Sequence, residues 1–324
     1  MMRDVNPLHP APATLIISPF ASRIRDETAL QRVTARTMEA IRARGHREVR
    51  VVETGVPAEI RATADAAVSE GARLVVVAGG DGTMRDAAGG LAETGVEVGI
   101  VPCGTGNLYA TSVGVPRNLD QAVAALASGS PRPYDVGEVR MVDPVAVAGD
   151  PSPGAAIHFG VACGTGFDAQ MIAGTSREMK RRYGVAAYFV TASRILPTLA
   201  PLPTVLEIDG VCMELESVVV LVANCGEALP GVLRPRLPIE PDDGLLHVFV
   251  LPRGGLIGGI RGVLELMNAQ QHGTSASGHA IRLVGREVRV AVTPAGPTQV
   301  DGDAFPAAWL EARMRPGGLL VIRP

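Results

Sequence analysis

The chain has 324 residues, of which 47% are apolar and 3% aromatic, with a formal net charge of −3. This suffices for one large or two ordinary domains, packed mainly from Val, Leu, Ile and Ala, and the charge argues against general nucleic-acid binding. The four cysteines, Cys103, Cys163, Cys212 and Cys225, have neither C-x-x-C nor zinc spacing, so reduced thiols in a cytosolic protein are expected. No uninterrupted apolar run reaches the roughly 18 residues of a membrane span.

In chain order, Met1 to Thr14 reads as a loose proline-rich tail without a signal peptide. Thr14 to Ser18 is a short strand ending at Pro19. Thr28 to Arg44 is an amphipathic helix, with Leu30, Val33, Thr37 and Ile41 near one face. Arg47 to Glu53 is a second strand, and Ala58 to Glu70 is an Ala-rich helix stopped by Gly71. Leu74 to Ala78 is a buried strand running into Gly79-Gly80-Asp81-Gly82-Thr83. The glycines allow a sharp turn and leave room for a ligand, and Thr83 is expected to cap a helix from Met84 to Leu91. Val98 to Pro102 is a further strand, followed by Cys103-Gly104-Thr105-Gly106-Asn107 and a helix starting at Leu108. The next helix, from Asn118 or Leu119 to Ser128, is closed by Gly129.

This βαβα rhythm argues for a three-layer α/β domain with a parallel sheet. Two strand ends that feed glycine turns and helix N-termini suit phosphate, because free backbone N–H groups converge there. Ligands of such sheets bind outside the carboxyl ends of the strands. Neither loop matches the P-loop or the dinucleotide fingerprint. Taken alone, G-G-D-G reads equally well as a tight turn with a solvent-facing Asp.

After Tyr134 the pattern becomes short β runs between Pro/Gly turns: Gly137 to Val142, Ala156 to Cys163, Val205 to Ile208, Glu216 to Val222, Leu245 to Leu251, His279 to Leu283 and Glu287 to Thr293. A second, mainly antiparallel domain fits. Asp143 to Ala155 reads as an inserted loop, and Arg177 to Ile195 as the main helical interruption. The expected division is 14–134, 135–310 and a C-terminal segment 311–324 that can pack back on the first domain.

G-G-D-G-T followed by P-C-G-T-G-N resembles the diacylglycerol-kinase catalytic domain family, which includes bacterial lipid kinases and sphingosine kinases. Ser18-Pro19 stands where that family usually has Asn-Pro. Asp135, Gly164 to Ala169, Lys180 to Tyr188, Asp242-Asp243-Gly244-Leu245-Leu246 and Val300-Asp301-Gly302-Asp303 follow in the family's order. The resemblance implies an N-terminal α/β nucleotide-binding domain, a C-terminal β-sandwich, and an active site in the cleft between them. It implies transfer of the γ-phosphoryl group of ATP to a lipid hydroxyl with Mg2+.

By the same resemblance, Ser18, Gly79, Gly80, Gly82, Thr83, Gly104, Thr105, Gly106 and Asn107 hold the nucleotide. Arg23 or Arg25 either approaches phosphate from the first loop or is an ordinary surface residue. Asp81 holds the metal directly or through water, and Asp135 either completes a water-mediated carboxylate network at it or is a plain turn acid before Gly137. Asp243 and the backbone at Leu245 resemble a separate structural cation site. Asp303, which stands where the family usually has Glu, deprotonates the acceptor, while Asp301 orients the loop or assists metal binding. Residues alone favour a plain hairpin turn for V-D-G-D. Leu108 departs from the acid that many relatives carry after the motif Asn.

Phe167, Met171, Tyr188 and Leu229 either line the acceptor region or, as apolar side chains more often do, build core. The basic cluster Arg177, Lys180, Arg181 and Arg182 can face anionic lipid headgroups or simply solvate a helix. The expected partner is a lipid at a membrane surface, reached by a cytoplasmic protein in peripheral contact with the inner face; nucleic acid is not expected, and an oligomer stays open. Two other readings are an NAD kinase and a non-enzymatic lipid- or nucleotide-binding regulator.

Overall fold

The computed structural model describes residues 12–143, 155–166, 200–226, 239–252, 275–276 and 280–324. The chain divides after Tyr134 into two units, and Gly317–Pro324 belongs to the first.

In the first unit, β1 (Ala13–Ile17), β2 (Val49–Glu53), β3 (Leu74–Gly79) and β4 (Glu97–Pro102) alternate with α1 (Glu27–Ala43), α2 (Pro57–Ser69), α3 (Asp81–Leu91), α4 (Leu108–Ser112) and α5 (Leu119–Ser128). The strands are parallel in the order β2-β1-β3-β4. Every residue of β1 and β3 is buried, as befits strands covered on both faces. Leu15, Ile17, Val76 and Ala78 share a core with Leu30, Val33 and Ile41 of α1 and Leu126 of α5. Val77 and Ile100 instead line a small pocket together with Met84 of α3. Asp26 caps α1, its Oδ1 accepting from the Ala29 N–H at 2.7 Å, and Asn118 caps α5 through the N–H groups of Asp120 and Gln121.

From β1 the chain moves outward to β2 and then returns past β1 to β3. The topological switch point therefore lies between β1 and β3, where ligands of open α/β sheets bind. The loop after β1 is tied to the end of β3 there, the Ser18 N–H donating to the Ala78 carbonyl at 2.9 Å.

The second unit is a β-sandwich. Its strands are β5 (Ser130–Val142, entering from the first unit), β6 (Ile157–Phe159), β7 (Ala162–Gly166), β8 (Leu202–Ile208), β9 (Val211–Ser217), β10 (Val219–Ala223), β11 (Leu246–Leu251), β12 (Ser275–Ala276), β13 (Ile281–Gly285), β14 (Glu287–Val292), β15 (Pro297–Val300), β16 (Asp303–Ala307) and β17 (Trp309–Arg323). One sheet runs β12-β13-β11-β10-β7-β15-β16. The other contains β9, β8, β14 and β17, with β5 on β17 and β6 on β5. Leu206, Val288, Val290 and Leu310 of one sheet close a core with Val220, Val222, Val248 and Val300 of the other. The end of β17 pairs in parallel with β4, Leu320 opposite Glu97 and Val321 opposite Val98.

Several expected elements are redrawn. Helix α3 begins at Asp81, with Gly80 at its N-cap, so Thr83 is inside the first turn and does not cap. The run expected over Ala156 to Cys163 is two strands, broken at Gly160-Val161, whose N–H groups go to a side chain. The run over Glu216 to Val222 joins the end of β9 to β10, which pair in different sheets. Residues 144–154 of the expected inserted loop Asp143 to Ala155, the Arg177 to Ile195 helix with its basic cluster, and Phe167, Met171, Tyr188 and Leu229 lie outside the described residues.

Candidate functional site

The strand ends of β3 and β4 are locked together. The Cys103 N–H donates to the Gly79 carbonyl at 2.8 Å. A Cβ built on Gly104 would lie 2.6 Å from the Gly80 Cα, and one on Gly79 would lie 2.5 Å from the Thr83 side chain. Glycine is required at both positions because main chain passes main chain, or a side chain folds back over it. Asn107 has a left-handed φ of 50°, and its buried amide is spent on its own loop. Its Oδ1 accepts from the Gly104 N–H at 2.9 Å and its Nδ2 donates to the Gly104 carbonyl at 2.8 Å. Asn107 therefore shapes the loop through its side chain.

Asp81 opens α3 and reaches across to α4. Its Oδ1 accepts from the Tyr109 N–H at 3.1 Å, and a Cβ on Gly106 would lie 2.7 Å from Oδ2. Burial pushes the Asp81 carboxyl above its ordinary value, against the opposing pull of the N–H groups of Tyr109, Leu108 and Asn107 and of Arg117. Leu108 thus contributes a backbone donor to this carboxylate. A small pocket opens among Gly79, Asp81, Pro102, Asn107 and Tyr109.

The loop after β1 frames the same edge. Ser18 is buried. The Arg23 guanidinium donates to the carbonyls of Pro102 and Arg117, and the Arg23 N–H donates to the Cys103 carbonyl at 3.0 Å, so Arg23 braces the β4 loop. Thr105 donates its hydroxyl to Ser22 at 2.9 Å. Arg25 is exposed. Burial pushes the Cys103 thiol up to about 11, which leaves it protonated and unreactive at neutral pH.

In the second unit, Asp135 is buried and its Oδ2 accepts from the Gly244 N–H at 2.6 Å. Asp243 accepts from the Leu245 N–H at 2.9 Å and lies 2.8 Å from His247 Nε2. Arg282, also buried, donates from Nη2 to His247 Nδ1 at 3.0 Å. A guanidinium only donates. Nδ1 is therefore the acceptor, and the imidazole proton sits on Nε2, facing Asp243.

Asp301 and Gly302 form the turn between β15 and β16, with positive φ at both positions (47° and 82°), as a two-residue type I′ hairpin requires. The Asp301 carboxylate accepts three backbone donors, from Gly160 at 2.9 Å, Val161 at 2.8 Å and Ala162 at 3.0 Å. Asp301 thus orients the loop, and Asp303 begins the next strand with its side chain exposed.

The first unit suits a nucleotide's phosphates, with glycine turns at two adjacent strand ends and the N-terminus of α3 between them. For Mg2+ the pocket at these strand ends is lined by the carboxylate of Asp81, which fits a cation carried largely by phosphate and water oxygens. Among the described residues no three His, Cys, Asp or Glu side chains gather to hold a metal ion. At the Asp243 turn both carboxylate oxygens already have protein partners.

Fold and site together define a two-unit protein, an α/β unit with paired glycine strand ends followed by a β-sandwich. Residues 12–139 match the diacylglycerol kinase catalytic domain, and residues 161–323 match the YegS C-terminal NAD kinase beta sandwich-like domain. The chain belongs to this family of diacylglycerol kinase-like proteins. It is 30% identical over 262 residues to a "Probable lipid kinase YegS-like" of Pseudomonas syringae pv. syringae, covering 80% of this chain and 78% of that one. A "Diacylglycerol kinase" of Mycobacterium tuberculosis is 33% identical over 168 residues, 51% of each chain. An uncharacterized Synechocystis protein is 24% identical over 256 residues, and the match spans 56% of its length. A crystal structure of a Bacillus anthracis diacylglycerol kinase shares the fold, with a TM-score of 0.67, 19% identity and 97% of both chains covered. Among the described residues no helix is long and apolar enough to cross a membrane.

Proposed function

We propose that this protein transfers the γ-phosphoryl group of ATP to a hydroxyl of a diacylglycerol-like or related lipid. Membership of the family supports the reaction class. The observation that carries the reading on this chain is the contact of Gly80 with Gly104, which leaves two strand ends with no side chain between their backbones. Catalysis of phosphoryl transfer is mainly positioning and charge stabilisation, and a rigid backbone cradle supplies positioning. The bound Mg2+ would neutralise charge on the phosphates, with Asp81 as its protein ligand, direct or through water. The N–H groups at Asn107, Leu108 and Tyr109 hold that carboxylate in place. Asp303 accepts the proton of the lipid hydroxyl. Its exposure suits access to an acceptor, and the Asp301 turn fixes its backbone.

The test is transfer from γ-labelled ATP to a panel of diacylglycerols, sphingoid bases and other hydroxylated lipids, with products identified by mass spectrometry. Labelled phospholipid is the expected product, and Asp303→Asn should lower its rate roughly 10²-fold or more, as loss of a general base does. Phosphorylation of NAD with no lipid product would overturn the reading in favour of an NAD kinase. Nucleotide binding without transfer to any acceptor would overturn it in favour of a binding protein.

A further inference from the structure

Two segments of the second unit, each leading on to an acidic loop, meet at one buried amide, that of Asn224 in the turn after β10. Asn224 is 1% exposed. Its Nδ2 donates to the Asp135 carbonyl and to the Gly160 carbonyl, each at 3.0 Å. Two acceptors facing one atom fix the orientation of the amide. Its backbone N–H donates to the Val161 carbonyl at 2.8 Å. On one side, Asp135 continues to the acidic loop through Pro241 and Gly244. On the other, Gly160, Val161 and Ala162 present their N–H groups to the Asp301 carboxylate, and the Asp301 N–H returns to the Ala162 carbonyl at 2.8 Å.

We infer that Asn224 is a positioning residue that sets the Asp301–Asp303 hairpin against Asp135 and the Asp242–Gly244 loop. The buried amide gives one donor group to two carbonyls, and removing that shared donor from the interior is costly. Asp301 then carries that position one turn further, so the backbone of Asp303 is held through an unbroken path of hydrogen bonds. The path uses no side chain of the first unit. The role in transfer rests on the lipid-kinase reading proposed above; the mechanical link does not.

Two measurements on the full chain separate these layers. Asn224→Ala and Asn224→Asp are compared with wild type for lipid phosphorylation and for ATP affinity by calorimetry. Hydrogen–deuterium exchange is followed in segments 158–162, 241–246 and 299–303, with 74–91 as the reference. In Asn224→Ala, kcat per folded molecule should fall about tenfold or more while the ATP Kd stays within twofold, and exchange should rise in all three segments but not in the reference. Asn224→Asp, which fills the same volume but turns a carboxylate toward two carbonyls, should be at least as impaired. A role confined to packing lowers the melting temperature and leaves kcat per folded molecule unmoved. An unchanged kcat in an active protein, or increased exchange confined to residues next to 224, would overturn the inference. Should the wild type phosphorylate no lipid, the reading of function fails by itself, and the exchange pattern still decides the link. If the Asn224 variants do not fold, Asp301→Asn cuts the same path at its other end and is read by the same two measurements.

Discussion

The Asp81 carboxylate accepts the Tyr109 N–H at 3.1 Å, so the first acid of α3 secures the start of α4. This bond places a charge where burial disfavours it. Because the folded-state pKa is raised, the folded protein holds this proton more tightly than the unfolded chain does. The associated stability is present at acid pH and is lost as pH rises through the folded pKa. Asp81→Asn keeps an oxygen for the Tyr109 N–H and removes the charge. Its melting temperature should exceed that of wild type at pH 7, with the gap closing as pH falls toward 3.8, the ordinary value of the group. Phosphoryl transfer should fall by about 10²-fold or more in the same variant. Thermal scans at several pH values, paired with the transfer assay, check both halves.

Gly104→Ala tests the cradle itself. The added methyl would sit 2.6 Å from the Gly80 Cα and 2.9 Å from Asn107 Oδ1. Neither neighbour is the free end of a flexible chain, so the loops must part. A cost of about 1–3 kcal/mol is expected from such overpacking, read from urea unfolding. ATP affinity should drop by at least roughly tenfold if the loops hold phosphate through preorganised backbone groups. Wild-type affinity in a folded Gly104→Ala protein would remove the cradle from the nucleotide site.

How much of this was legible in the sequence depended on the kind of signal. β1, β3 and β4 are buried apolar runs, so the sequence places each of their ends to within one residue. The β8–β9 hairpin was missed although Asp209-Gly210, with φ of 48° and 81°, is a strong two-residue turn signal. Strand β17 was hidden by Pro316-Gly317-Gly318 in its middle, which reads as a break. Glycine turns announce a cradle because only glycine serves there. The Asn107 amide, the Asp301 carboxylate and Asn224 act by closing distant backbone groups. No local periodicity marks such a role, and Asn224 carried no motif that would have singled it out.

The His247 tautomer gives a prediction independent of catalysis. With Arg282 Nη2 donating to Nδ1 and Asp243 accepting from Nε2, 15N spectra should show Nδ1 unprotonated and Nε2 protonated at neutral pH. His247→Ala takes one acceptor from a buried guanidinium and one donor from Asp243. A loss of roughly 2–4 kcal/mol is expected for breaking such a buried charged link. A protonated Nδ1 would reverse the assigned direction of the chain.

Glu138 contributes to the acid stability of the second unit. Burial raises its pKa, but the Arg315 hydrogen bonds, at 3.3 and 3.0 Å, together with the charges of Arg315, His158 and Arg140, outweigh that and hold it below the ordinary 4.5. A depressed folded-state pKa means that the unfolded chain binds this proton more readily. The stability it contributes is full above the unfolded value and is lost as pH falls through the folded one. Glu138→Gln removes the titration while keeping an oxygen for Arg315. Its unfolding midpoint in urea should be lower than that of wild type near pH 6, and the difference should shrink as pH is taken from about 4.5 downward. Parallel curves for the two proteins across that range would show that Arg315 and Glu138 are not coupled through charge.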